Sequence, residues 1–207
     1  NTLLVATAAL FALFAGCNTD QTIDAPGLPA SLPQGISFHD SVESNAEVSA
    51  EEKFDFRFMD RFGESVDLKD HRGRKNIVLV VTRGFTGYFC PLCSAQTSRL
   101  IKNYEEFEKR NAELLVVFPG SKENAQAFVE QLPDEAGDGG KSIPFSIVLD
   151  EGLDFVDRLM IRGDLAKPST YILDASGTLR FAYVGTTPSD RPSLKAMLDQ
   201  LDRIEQE

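Results

Sequence analysis

Two cysteines separated by two residues, in the run Cys90-Pro91-Leu92-Cys93, are the side chains best suited to covalent chemistry in this sequence. They follow the wholly apolar, β-branched run Ile77-Val78-Leu79-Val80-Val81 and precede Leu100, Ile101, Tyr104 and Phe107 at helical spacing. The pair therefore falls where a strand buried on both faces gives way to a helix. At a helix N-terminus, unsatisfied N–H groups and the macrodipole stabilise a thiolate, which brings its pKa below the free value of about 8.5. Two intervening residues let the second sulfur reach the first across one helical turn, so a mixed disulfide at Cys90 is open to resolution by Cys93. Pro91 suits the first helical turn, where its missing N–H costs no intrahelical bond. The competing readings of such a pair are half of a zinc site, for which no second ligand pair exists, and a purely structural disulfide.

Composition narrows the remaining options. The 207 residues carry a formal net charge of -11 with no Lys/Arg cluster, which argues against a nucleic-acid partner, since that binding needs a basic surface to release counterions. His39 and His71 are the only histidines, too few for a multi-histidine zinc or transition-metal site, and no metal or other cofactor is expected. Chain length and apolar content suit one core of ordinary size.

The third cysteine, Cys17, needs its own explanation. Residues 3–15 are nearly all Leu, Ala, Val or Phe and lead into Phe14-Ala15-Gly16-Cys17 and a polar run. That length matches a signal-peptide apolar region better than a membrane span of roughly 20 residues. Ala15-Gly16-Cys17 resembles the end of a bacterial lipobox, although Phe14 stands where Leu is usual and the sequence lacks an initiator Met and a basic leader. The resemblance implies lipidation of Cys17, which would leave Cys90 and Cys93 as an even pair on an envelope protein facing the periplasm or exterior. A cleaved, non-lipidated signal and a membrane anchor are the alternatives. Residues 18–52, with Pro26, Pro29, Pro33 and many Ser, Asp and Glu, are expected to form a flexible tether, and residues 53–207 the folded domain.

Within that domain, Phe54, Phe56 and Phe58 alternate before a turn at residues 60–63 and a short run at 66–68, which predicts an antiparallel hairpin. Apolar runs at 114–118 and 145–149 predict further strands, with helices around Phe128 and Val156. Asp174-Ala175-Ser176-Gly177 sits between two strand-like runs as hairpin chemistry, and Leu194, Met197, Leu198, Leu201 and Ile204 mark a terminal amphipathic helix. The predicted architecture is α/β: a central mixed sheet with helices on both faces.

Four pieces of residues 54–207 together resemble the redoxin group, with its alkyl hydroperoxide reductases, thiol-specific antioxidant peroxiredoxins and membrane-tethered thiol-disulfide oxidoreductases. They are Phe56-Arg57-Phe58-Met59-Asp60 with Gly63; Arg83-Gly84-Phe85 leading into the cysteine pair; Ile143-Pro144-Phe145 to Asp150; and Pro168 to Gly177. The resemblance implies a thioredoxin-like fold and a thiol-dependent enzyme performing dithiol-disulfide exchange through Cys90 and Cys93, with peroxide reduction as an associated activity. Protein disulfides or hydroperoxides would be the substrates and a thiol reductant the electron donor. It also implies that Pro168 is a cis-proline helping to bind substrate, beside Lys167; an ordinary strand-start proline is the alternative. Peroxiredoxins place Thr or Ser three residues before the attacking cysteine and bring in an Arg from later in the chain. Here Gly87 holds the first position, with Thr86 one residue earlier, and Lys167-Pro168 stands where the Arg would fall, leaving Arg83 and Arg162 as candidate substitutes, for each of which a surface or salt-bridge role is the favoured alternative. A lysine does not reproduce the planar fork of a guanidinium. Two further readings keep the fold and change the function: a copper-binding or delivery module, and a non-catalytic interaction domain.

Overall fold

A computed structural model describes residues 37–46, 54–132 and 142–206. The signal-like segment, Cys17 and the first part of the expected tether lie outside the described residues. Seven strands, β1 (Arg57–Asp60), β2 (Ser65–Asp67), β3 (Asn76–Val81), β4 (Ala112–Phe118), β5 (Ser146–Leu149), β6 (Ser169–Leu173) and β7 (Leu179–Val184), form one sheet in the order β2-β1-β5-β4-β3-β6-β7. β3, β4 and β5 run parallel, and β1 and β6 pair antiparallel with β5 and β3. The helices are α1 (Pro91–Lys102), α2 (Tyr104–Glu108), α3 (Lys122–Glu130), α4 (Asp154–Arg158) and α5 (Leu194–Glu205). The mixed α/β architecture expected from the sequence is the one found, with a thioredoxin-like fold.

Strand periodicity assigns the five apolar side chains of β3, Ile77 to Val81, to one of two cores. Val78 and Val80 join Leu92, Phe107, Phe128 and Met197 on the face covered by α1, α2, α3 and α5. Ile77, Leu79 and Val81 join Phe54, Phe56, Phe58 and Phe155 on the other face, beneath the first hairpin and α4. All six residues of β3 are buried, which is why this strand reads as an unbroken apolar run.

Two expectations are corrected. The helix after the cysteines breaks at Asn103, whose side-chain amide donates to the Arg99 carbonyl (2.8 Å) and competes with continuation of the helix. Residues 37–46, expected to be tether, pack on the domain instead. His39 N–H donates to the Arg191 carbonyl and Ser193 N–H to the His39 carbonyl, both at 2.8 Å. Asn45 exchanges two side-chain hydrogen bonds with the Val184 backbone, at 2.8 and 3.1 Å, covering the free edge of β7. The segment looks like linker because polar side chains do the pairing; its anchor is the single buried ring of Phe38.

Candidate active site

The sheet delivers the cysteines by a short, tightly constrained loop. Thr82 prolongs β3 by one residue, its N–H and hydroxyl both donating to the Val117 carbonyl at 3.0 and 3.2 Å. Gly84 follows at φ +72°, pressed so closely on the Pro119 carbonyl oxygen that a Cβ there would overlap it. A turn bridged between Phe85 and Phe89, whose rings lie tilted against each other with centroids 4.8 Å apart, then places Cys90 as the N-cap of α1 with Pro91 at its first position. The expected strand-to-helix placement is thus the one observed. Both thiols are free and buried, Cys90 5% and Cys93 2% exposed.

The two sulfurs share one proton. A hydrogen bond from Cys93 is the largest influence on Cys90; with backbone N–H groups of the first helical turn and the Arg191 charge, it overcomes burial and brings the Cys90 pKa down to about 5. Cys93 is pushed well above the ordinary thiol range, first by that same hydrogen bond and then by burial. At neutral pH, Cys90 is the thiolate and Cys93 the thiol that solvates it.

The cation facing this pair is Arg191, from the loop between β7 and α5. It is 1% exposed, the bulkiest of the fully buried side chains. Its Nε donates to the Pro188 carbonyl (2.7 Å), Nη1 to Gln96 Oε1 (2.7 Å) and Nη2 to Cys93 Sγ (3.2 Å), with Cys90 Sγ 3.9 Å away. The Phe38 ring lies 5.9 Å from the guanidinium carbon. None of these partners is a carboxylate; the neighbouring Asp190 is engaged by His39, Tyr183 and Thr186 instead. A buried charge requires a counter-ion, and the anion within reach is the thiolate of the cysteine pair.

The other residues singled out by sequence fall into place unevenly. Arg83 donates its backbone N–H to Cys93 Sγ (3.5 Å) and pairs its guanidinium with Asp164 (2.9 Å). Its pKa is raised, first by interaction with Tyr88 and, against burial, with Cys90. Arg162 is spent on a surface ion pair with Asp157 (2.6 Å). Thr86 lies in the Phe85–Phe89 turn, its amide donating to the Tyr88 carbonyl (3.4 Å), and its hydroxyl bonds to neither sulfur. Lys167 is exposed, its N–H donating to the Ile161 carbonyl (2.8 Å). Every described peptide bond is trans, so the expected cis form of Pro168 is corrected. Pro168 is buried just before β6, where a missing N–H disturbs no ladder, and its carbonyl accepts from Gly185 N–H at 2.8 Å. Sequence reasoning missed Arg191 and Gln96; the one local hint was an arginine held between Pro188 and Pro192 ahead of the terminal helix.

The mixed sheet and the thiol pair that follows β3 at the start of α1 define the class: a thiol-dependent redox protein of thioredoxin-like fold. More particularly, the chain belongs to the AhpC/TSA family, whose model matches residues 50–182. It is 25% identical over 158 residues to a thiol-disulfide oxidoreductase, ResA, of Halalkalibacterium halodurans, covering 75% of this chain and 80% of that protein. It is also 25% identical over 160 residues to the chloroplastic peroxiredoxin Q of Gentiana triflora, covering 75% of this chain and 68% of the relative. Among solved structures, the mitochondrial 2-Cys peroxiredoxin of Plasmodium falciparum superposes with a TM-score of 0.60 at 22% identity, over 79% of this chain and 92% of that one, a likeness of fold. Arg191 lies beyond the stretch matched to the family.

Proposed function

We propose that the protein is a dithiol oxidoreductase in which Cys90 attacks and Cys93 resolves. The carrying observation is the placement of the pair: two free, buried thiols at the first turn of α1, Cys90 at its N-cap and Cys93 facing the buried Arg191 at 3.2 Å, a setting that lowers the Cys90 pKa to about 5 and raises that of Cys93. With a disulfide substrate, the Cys90 thiolate displaces one thiolate and forms a mixed disulfide; Cys93 then attacks Cys90 Sγ, releases the second thiolate and closes the Cys90–Cys93 disulfide. With a hydroperoxide, the same thiolate attacks the distal oxygen; an S–O bond forms as the O–O bond breaks, the departing alkoxide or hydroxide takes a proton from solvent and leaves as alcohol or water, and the Cys90 sulfenic acid condenses with the Cys93 thiol to the same disulfide with loss of water. An external thiol returns the pair to its reduced form. The relatives named a thiol-disulfide oxidoreductase and a peroxiredoxin support both substrate classes at this general level.

Turnover of hydrogen peroxide and of a protein disulfide by wild type, Cys90→Ser and Cys93→Ser tests the scheme. Cys90→Ser is expected to lower both activities by at least 100-fold, and Cys93→Ser to leave a trapped mixed disulfide visible by mass spectrometry. Equal turnover by wild type and Cys90→Ser would sink the assignment. The lipobox-like sequence before Cys17 supports tethering of this domain to a bacterial envelope; fatty-acid labelling lost in Cys17→Ala checks that part separately.

A further inference from the structure

We infer that Arg191 is a catalytic residue of the resolving step: it carries the charge of Cys93 once Cys90 has reacted, rather than activating Cys90 for attack. The inference rests on the two-cysteine scheme above and assigns its halves to different groups. Geometry favours Cys93 over Cys90 as the partner of the guanidinium, at 3.2 against 3.9 Å. Cys93 Sγ also accepts the Arg83 N–H at 3.5 Å, so the more deeply buried sulfur has two donors aimed at it from outside its own helix. Two donors are of little use to a neutral thiol, since hydrogen bonds to sulfur strengthen when the acceptor is ionised.

The chemistry supplies the moment at which they are needed. In the reduced protein the Cys90 thiolate balances Arg191, and Cys93 keeps its proton by donating it to Cys90. When Cys90 forms a mixed disulfide, its negative charge leaves with the displaced thiolate. Two changes then coincide: Cys93 loses the anionic acceptor that held its proton, and Arg191 is left buried without a counter-ion. Loss of the Cys93 proton, to the departing thiolate or to solvent, answers both, and the new thiolate stands 3.2 Å from the guanidinium. It attacks Cys90 Sγ; one S–S bond forms, one breaks, and the second substrate thiolate carries the electron pair away. Gln96, 4% exposed on α1 and bonded to Nη1, is the positioning residue that keeps the guanidinium beside Cys93. The ionisable groups influencing Cys93 are Cys90 at the cap of α1 and Arg191 from the β7–α5 loop; Arg83, in the loop after β3, acts on it through its backbone N–H.

The disulfide of thionitrobenzoate resolves the two steps, because each released thiolate is coloured. Mixed with reduced protein, it should release one equivalent in a bimolecular phase due to Cys90 and a second in a unimolecular phase that Cys93→Ser abolishes. In Arg191→Met the first phase at pH 7 should change less than about threefold, since a Cys90 pKa one unit higher than about 5 leaves that thiol almost wholly ionised. The second phase should slow by about tenfold or more, with its pH midpoint raised by about one unit or more, tenfold in thiolate fraction per unit. Arg191→Lys should recover part of both effects. If Arg191→Met does not fold, Gln96→Leu, which keeps the cation and removes its 2.7 Å anchor, should slow the second phase selectively. Loss confined to the first phase, or an unchanged second phase in a folded variant, overturns the inference. Release of fewer than two equivalents by wild type would instead overturn the two-cysteine scheme.

Discussion

At the residue scale, the unequal titration of two adjacent thiols makes stability pH-dependent in the reduced protein. Cys90 is depressed to about 5 in the fold and returns to the ordinary thiol range, about 8.5, on unfolding, so the unfolded chain binds more protons throughout that interval. Its contribution is therefore fully present above about pH 9 and lost as pH falls through about 5. The raised Cys93 has the opposite sign: its contribution is present below the ordinary thiol range and declines above it. Denaturant titrations of reduced wild type and Cys90→Ala should show a stability difference that grows from pH 5 towards neutrality and then levels off in the alkaline range. A difference flat with pH would mean that Cys90 is not ionised in the fold. The location of the thiolate was legible in the sequence, since a Cys-x-x-Cys after an apolar strand is a local pattern. Its cation was not: Arg191 is 98 residues from Cys93, and the flanking Pro188 and Pro192 hint at a constrained loop without marking the arginine as buried.

At the element scale, the loop after β7 decides where that cation sits. Gly185 leaves the strand with its N–H on the Pro168 carbonyl, and a Cβ there would overlap the Asp190 carbonyl oxygen and meet Pro168 Cγ at 3.0 Å. Gly185→Ala is expected to push the 186–192 segment outward, weaken the Arg191 contacts with both sulfurs and raise the Cys90 midpoint, read as thiolate absorbance against pH. The far-ultraviolet circular dichroism should stay that of wild type, because no strand or helix includes residue 185. An unaltered midpoint in the folded variant would show that the loop absorbs the methyl group without moving Arg191. This loop also explains the fate of Pro168. The resemblance pointed to a cis-proline, whereas the trans form observed buries the ring beneath Gly185 and uses the carbonyl to hold the loop. Local sequence, Lys167-Pro168-Ser169, is compatible with either isomer; packing against the returning loop distinguishes them.

At the scale of the whole molecule, residues 37–46 close the structure over the arginine. Phe38 is 5% exposed and lies near both Arg99 and Arg191, while the backbone on either side of His39 bonds to residues 191 and 193. Phe38→Ala should cost about 3 kcal/mol, the usual loss for deleting a buried ring, measured by denaturant unfolding of the reduced protein. A loss below about 0.5 kcal/mol would place the segment among surface features that fold and unfold independently. Composition assigned these ten residues to the tether because eight of them lack large apolar side chains. Their order comes from pairing with an exposed sheet edge, which requires backbone and short polar side chains rather than hydrophobic bulk.

Periodicity by itself determined the strands, the helices apart from the break at Asn103, and their order along the chain, and a local Cys-x-x-Cys pattern marked the thiol pair, because each depends on residues within one or two turns of each other. β3 is apolar from Ile77 to Val81 since it is buried on both faces, and Cys90 caps a helix since Pro91 begins one. Only the tertiary structure decided which cation faces the sulfurs, that Pro168 is trans, and that the domain includes residues 37–46. Those outcomes depend on the return of the β7–α5 loop against β6 and α1, where desolvation and packing among distant segments fix the geometry and no short pattern records it.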